Sequence, residues 1–572
     1  MKNWRLAYGP RGQRSARRAA VMVILAAVSI ATACTSPSAK PASPVDGPAF
    51  EFLDAGDGIE IRDGDDWSMP ASARPAANSG FFSEEASADD HVFTRSVDLT
   101  WAQIQPAPGD LDRKGIGDAQ GMTLDSLDTQ LSDPGTFWMR LFASGESWAP
   151  KWVAEDCGVA TYGPDYDGER HLPIWNECVW GHLLATYREL FIERGLVADP
   201  RLLFVYVPGA FTWAEYDYDV VASAVDAGDL DLEAYLAWYG HAWTDLVELF
   251  GEHANKLVFT GEDYPFGPFG ADDDLLAAQA VEAGLGIRTG ISEVSNFHLS
   301  EAPAYGSHVL PNGHLSVDDS LPVHDGRRIV ATENECYNDC GYETTDPYYA
   351  VRQSNLKALQ LRTNWMYVVP EPSYFEEFPA HWDWVRLSIG ATAGTASDAW
   401  AALRDAEDTY WNSDEDGPFG SGGESWTGRP WVRNLERWLV QVDEPKSVAH
   451  RSHADAHHNV LEAENGTAYE GLSTDVAEGD TGFVFDLDSR FAAASEECVV
   501  KVTYLDVGTG GFGLDIGEWS SRSIERTGDG SWKTATVAVP LGSLAEDSSF
   551  RLSLAPGAND LTVRFVRVVR AE

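Results

Sequence analysis

The chain has 572 residues, 44% of them hydrophobic, and a formal net charge of −49. That length leaves room for several domains, and the hydrophobic content for a large core. So acidic a surface repels phosphate backbones, which argues against nucleic acid as a partner.

Residues 1–33 hold six basic residues and no acidic one, and run into an apolar stretch from Ala19 to Ala33. A charged start followed by a short apolar run is the pattern of an export signal, too short for a membrane span. The small residues ahead of Cys34 resemble a bacterial lipobox. The resemblance implies a signal over residues 1–34, lipid on Cys34, an extracellular location and membrane contact through that anchor alone. An ordinary cleavage site with an incidental cysteine is the alternative. Residues 35–49, rich in Pro, Ser and Ala, read as a tether.

From residue 50 strands and helices alternate. Apolar runs predict strands near 50–62, 92–102, 137–143, 202–208, 257–260, 286–291, 329–333 and 365–369. Helical spacing between them is clearest at Leu232–Phe250. There Leu232, Tyr235, Leu236, Tyr239, Trp243, Leu246, Val247 and Phe250 form one stripe, with Asp231 placed as cap. This alternation predicts an α/β domain with a parallel sheet covered on both faces, and eight strands close a (β/α)8 TIM barrel. A closing helix is expected over 433–442, ending the barrel domain (50–445), and residues 446–458 read as a linker. Over 459–572, short strands such as CVVKVTYLDV and LTVRFVRVV between Gly, Asp and Ser turns predict a smaller all-β sandwich. Asp506 and Asp515 there are candidates for a structural Ca²⁺; no other cofactor is expected.

Six cysteines fit an exported protein. Cys157 and Cys178 fall in one long loop, Cys336 and Cys340 in another. In an oxidising compartment they read as disulfides, with 157–178 and 336–340 the simplest of three pairings. A zinc site is the alternative, with no histidine read at ligand spacing. Cys498 is left over as a buried thiol.

Two stretches carry chemistry. Leu202–Tyr216, LLFVYVPGAFTWAEY, is an apolar strand that breaks at Pro208-Gly209 and ends in Trp213-Ala214-Glu215. Arg328–Asp339, RIVATENECYND, has the same form, with Glu333 and Glu335 at its end. The C-terminal ends of barrel strands are where barrel chemistry sits. Each acid alone reads as a solvated loop carboxylate. Two of them flanked by aromatics are what glycoside hydrolysis requires, one protonated and one ionised. Phe211, Trp213 and Tyr216 give Glu215 the apolar setting of the proton donor.

Val97–Asp112, VDLTWAQIQPAPGDLD, and Trp148-Ala-Pro-Lys-Trp152 resemble motifs of the clan-A glycoside hydrolase barrels, nearest the β-galactosidase-like families. The resemblance covers roughly residues 90–400. It implies Glu215, after the fourth strand, as acid/base and Glu333, after the seventh, as nucleophile, with Glu335 in reserve. Ala214 stands where the clan has Asn before its acid/base. A poly- or oligosaccharide substrate is implied too, with the sandwich as an accessory domain. Trp101, Arg140, Trp148, Trp152, Trp213, Glu262, Asn296, His298, Trp365 and Glu371 are the expected ring of stacking and hydroxyl-binding groups. A glycan-binding surface lipoprotein without turnover is the other reading. The sequence sets no oligomeric state, and no choice between retaining and inverting chemistry.

Overall fold

The computed structural model describes residues 58–570, apart from 85, 87–89, 91, 113–122, 166–167, 209–217, 262–272, 291, 293–301, 335–346, 370–373, 405–431, 443–446, 451–470 and 496. Its centre is a closed barrel of eight parallel strands. In chain order they are Gly80–Ser83, Phe93–Thr100, Phe137–Phe142, Leu202–Tyr206, Leu257–Gly261, Gly286–Thr289, Val330–Asn334 and Trp365–Val368. Helices cover it, among them Glu177–Tyr187, Leu232–Phe250, Pro347–Gln360 and Pro379–Ser388. Leu232–Phe250 has the bounds its spacing predicts, and Asp231 caps it by accepting from the amide of Ala234. Among the described residues, no helix is long and apolar enough to cross a membrane.

Seven of the expected strands lie in the barrel and the first does not. Ile59–Asp63 pairs antiparallel with Trp532–Ala538, at the edge of an eight-stranded sheet built mostly from the end of the chain. The first barrel strand is Gly80–Ser83, too short at four residues to show a period. The helix expected over 433–442 is two strands, Leu435–Arg437 and Leu439–Val442, one in each of two antiparallel sheets. The chain crosses between the sheets at Trp438, whose φ is +58°. Apolar residues at 435, 438, 439 and 442 imitate a helix, but a left-handed residue in their midst ends it. The two sheets pack into the sandwich, which thus takes in Ile59–Asp63, Asp398–Ala402, 435–442 and Val448–His450, a strand inside the expected linker, as well as strands beyond residue 459. Asp506 accepts from Lys533 Nζ (2.6 Å) and from the amides of Thr527 and Gly528. Asp515 accepts from Ser553.

The segment after Ile59–Asp63 ties sandwich to barrel. Asp65 accepts from Arg564 (2.9 Å) in the sandwich and from Tyr348 Oη (2.9 Å) on a barrel helix, and Asp66 from Lys501 Nζ (2.5 Å). Burial opposes the charge on both acids, yet their cationic neighbours outweigh it; Asp66 is held at about 2. Asp398, on the sandwich sheet, accepts from Arg567 and from the indole of Trp384 on a barrel helix.

Candidate active site

Strand alternation turns every second side chain into the barrel. Its lower part is filled by Phe82, Trp138, Phe204, Val258, Ile329, Ala331 and Trp365. At the C-terminal end the same rows turn polar: Asp98 on the second strand, Arg140 on the third, Tyr206 on the fourth, Arg288 on the sixth, Glu333 on the seventh and Tyr367 on the eighth. Glu84 follows the first strand.

Two buried guanidiniums organise this layer. Arg140 is gripped by Asp98 on two bonds (2.9 and 2.7 Å) and by Glu84 (2.6 Å). Burial opposes its charge, but these carboxylates more than offset that and hold its pKa above the ordinary arginine value. Arg288 donates to Glu333 through Nη1 and to Tyr206 Oη through Nε (3.1 Å). It also lies over the rings of Tyr206 and Tyr367, 5.4 and 5.6 Å from their centroids. Glu333 is 5% exposed. Behind it, Ser292 bonds to the Glu333 carbonyl and to Asn334 Oδ1, Asn334 Nδ2 donates to Asn355 Oδ1 (2.7 Å), and Asn355 Nδ2 donates to His381 Nε2 (3.1 Å). This chain fixes the end of the seventh strand against two helices.

The expected site residues separate clearly. Glu333 and Arg140 meet in the polar layer, and Trp148 stands near the mouth, half-buried against Phe142. Trp152 is half-buried with its indole given to the Gln105 carbonyl (3.0 Å). Two expectations are corrected. Trp101 is fully buried in the layer outside the barrel, its indole bonded to Gln105, and has no open face for a sugar. Trp365 is the first residue of its strand, paired with Gly80, so its ring sits at the opposite end from the polar layer. Its residue type suggested a platform; its place at the start of a strand rules that out. Glu215, Trp213, Glu262, Asn296, His298, Glu335, Cys336, Cys340, Glu371 and Cys34 lie outside the described residues.

Sequence reasoning missed Arg288, Tyr206, Tyr367, Asp98 and Glu84. The signal that marked Arg140, a cation inside an apolar strand, is equally present in Gly286–Thr289. Cys157 and Cys178 form the expected disulfide (Cα–Cα 5.7 Å). His182 comes four residues after Cys178 on one helix, the ligand spacing not read in the sequence. Cys498 is free and buried, and burial pushes its thiol up to about 12.

No protein-family model and no curated protein matches the chain. Solved structures similar to it include a GH36 α-galactosidase from Geobacillus stearothermophilus in complex with raffinose (9% identity, 82% of this chain and 57% of that one, TM-score 0.30). The same enzyme with stachyose aligns at 9% identity over 85% and 56%, TM-score 0.28. Endo-glycoceramidase II from Rhodococcus sp. aligns at 12% identity over 87% and 90%, TM-score 0.21. The chain spans a little over half the length of the two α-galactosidase structures.

Proposed function

We propose that this protein is an exported glycoside hydrolase, anchored by lipid on Cys34, that cleaves O-glycosidic bonds of a poly- or oligosaccharide. Glu333 is the nucleophile and Glu215 the acid/base of a retaining reaction. The observation that carries the reading is the buried Glu333–Arg288 pair among tyrosines at the C-terminal end of a barrel otherwise filled with apolar rings. Burying two charges costs several kcal/mol per ion before their attraction offsets it, and a barrel that needed only stability would fill that layer with apolar side chains. A carboxylate held in place on that face suits attack at an anomeric carbon, and Glu215, after the fourth strand, is placed by sequence to protonate the leaving oxygen.

A screen of chromogenic glycosides and polysaccharides finds the substrate. On it, Glu333→Gln abolishes turnover while folding and substrate binding persist. Glu215→Ala loses less with good leaving groups, and azide partly restores it. Full activity in both variants sinks the assignment; glycan binding without turnover by wild type makes the protein a binder instead. For the anchor, mass measurement finds lipid on wild type, and Cys34→Ala is released to the medium. Wild-type protein that is soluble and unlipidated removes that part.

A further inference from the structure

The loop after the third barrel strand carries a second cluster. Lys151–Cys157 ends with Asp156 and Cys157; Glu177–Tyr187 carries Cys178 in its first turn and His182 one turn on. One ligand atom from each of Asp156, Cys157, Cys178 and His182 lies within 4.8 Å of all the others. His182 Nε2 and Asp156 Oδ2 are 2.9 Å apart, and the imidazole stands edge-on to Trp152 with centroids 4.9 Å apart. Zinc bonds of ~2.0–2.3 Å in a tetrahedron need ligand atoms about 3.3–3.8 Å apart. The set is therefore within about 1 Å of a zinc site, except that its sulfurs are joined. Cys178 and His182, at i and i+4, present to one face of a helix, and Cys178 lies in a first turn that favours negative charge.

We propose that these four residues are a redox-gated zinc site: a disulfide clamp when oxidised, a Cys₂-His-Asp cage for Zn²⁺ when reduced. A dithiol or phosphine breaks the Cys157–Cys178 bond. With a phosphine, phosphorus gives up two electrons and takes oxygen from water as the phosphine oxide, and the two protons of that water go to the sulfurs. Zn²⁺ then displaces both thiol protons, the proton between His182 Nε2 and Asp156 moves to Nδ1, and two metal bonds take the place of that hydrogen bond. Either state pins the end of one helix to the start of the next. Nothing in this depends on glycosidase activity.

The test uses the full chain with Cys34→Ser, Cys336→Ser and Cys340→Ser, which keeps all four ligands and leaves the buried Cys498 as the one other thiol. Phosphine-reduced protein takes up one Co²⁺ with a thiolate-to-cobalt absorption and tetrahedral visible bands, Zn²⁺ displaces it, and the oxidised protein takes up none. His182→Ala, which changes a half-buried side chain and neither cysteine, weakens Zn²⁺ by more than the ~10–100-fold typical of losing an outer partner. Asp156→Asn weakens it in the same direction. Equal metal uptake by oxidised and reduced protein overturns the site, as does an unchanged affinity and spectrum in His182→Ala.

Discussion

His381 is wholly buried against Trp67 and Trp384, its Nε2 accepting from Asn355. Burial pushes its pKa down to about 3, and Arg352 nearby adds to the effect. The folded protein therefore keeps it neutral, while the unfolded chain protonates it below about 6.5. The unfolded state binds more protons across that window, so stability falls as pH falls from 6.5, by about 3 kcal/mol at pH 4. His324, also lowered by burial, adds to the same window, whereas Asp65 and Asp66 act only below the usual carboxylate range. His381→Gln keeps an acceptor for Asn355 and has a shallower loss between pH 6.5 and 4 in urea titrations. Equal slopes in variant and wild type refute the assignment. At this scale the sequence shows residue type and strand position, which located Glu333 and Arg140. It does not show that the indole of Trp101 turns into the outer core, because that depends on what the following turn packs against.

Among the elements, the bend at Trp438 is the instructive case. Its ring is 4% exposed, and the guanidiniums of Arg437 and Arg362 lie 4.2 and 5.1 Å from its centroid. Burial lowers Arg437 to about 9, so this stack holds two cations in an apolar place. The contacts hold a backbone conformation that a large side chain rarely adopts. Trp438→Ala should cost about 3–5 kcal/mol in denaturant unfolding, the range for truncating a buried aromatic. A loss within about 1 kcal/mol shows that the bend does not depend on the ring. The period of the chain was legible wherever one element buried one face over many residues, as in Leu232–Phe250. It misled where two three- or four-residue strands meet at a positive φ, and where Ile59–Asp63 alternates as an edge strand of another sheet.

For the molecule as a unit, the junction between barrel and sandwich is built from buried ion pairs around Asp65, Asp66 and Asp398. Breaking one partner of such a pair leaves a buried charge, which costs about 3–5 kcal/mol. The two parts should therefore unfold in a single calorimetric transition, and a fragment ending at residue 446 should show no cooperative unfolding. Two well-separated transitions, or a cooperative fragment, refute the coupling. A parallel barrel before an antiparallel sandwich was legible from the alternation and its later loss. That the sandwich borrows a strand from ahead of the barrel was not, since pairing between such distant stretches leaves no local period.

That borrowed strand sets an order of events during synthesis. Gly64, just past it, bonds to Thr534, 470 positions away. The first described strand to leave the ribosome thus waits, unpaired, until nearly the whole chain has followed it. Contacts this distant are late and slow to form, and an open strand edge meanwhile invites pairing with other chains. The charged Glu60, Arg62 and Asp63 within it are the kind of residue that keeps such an edge from sticking while it waits.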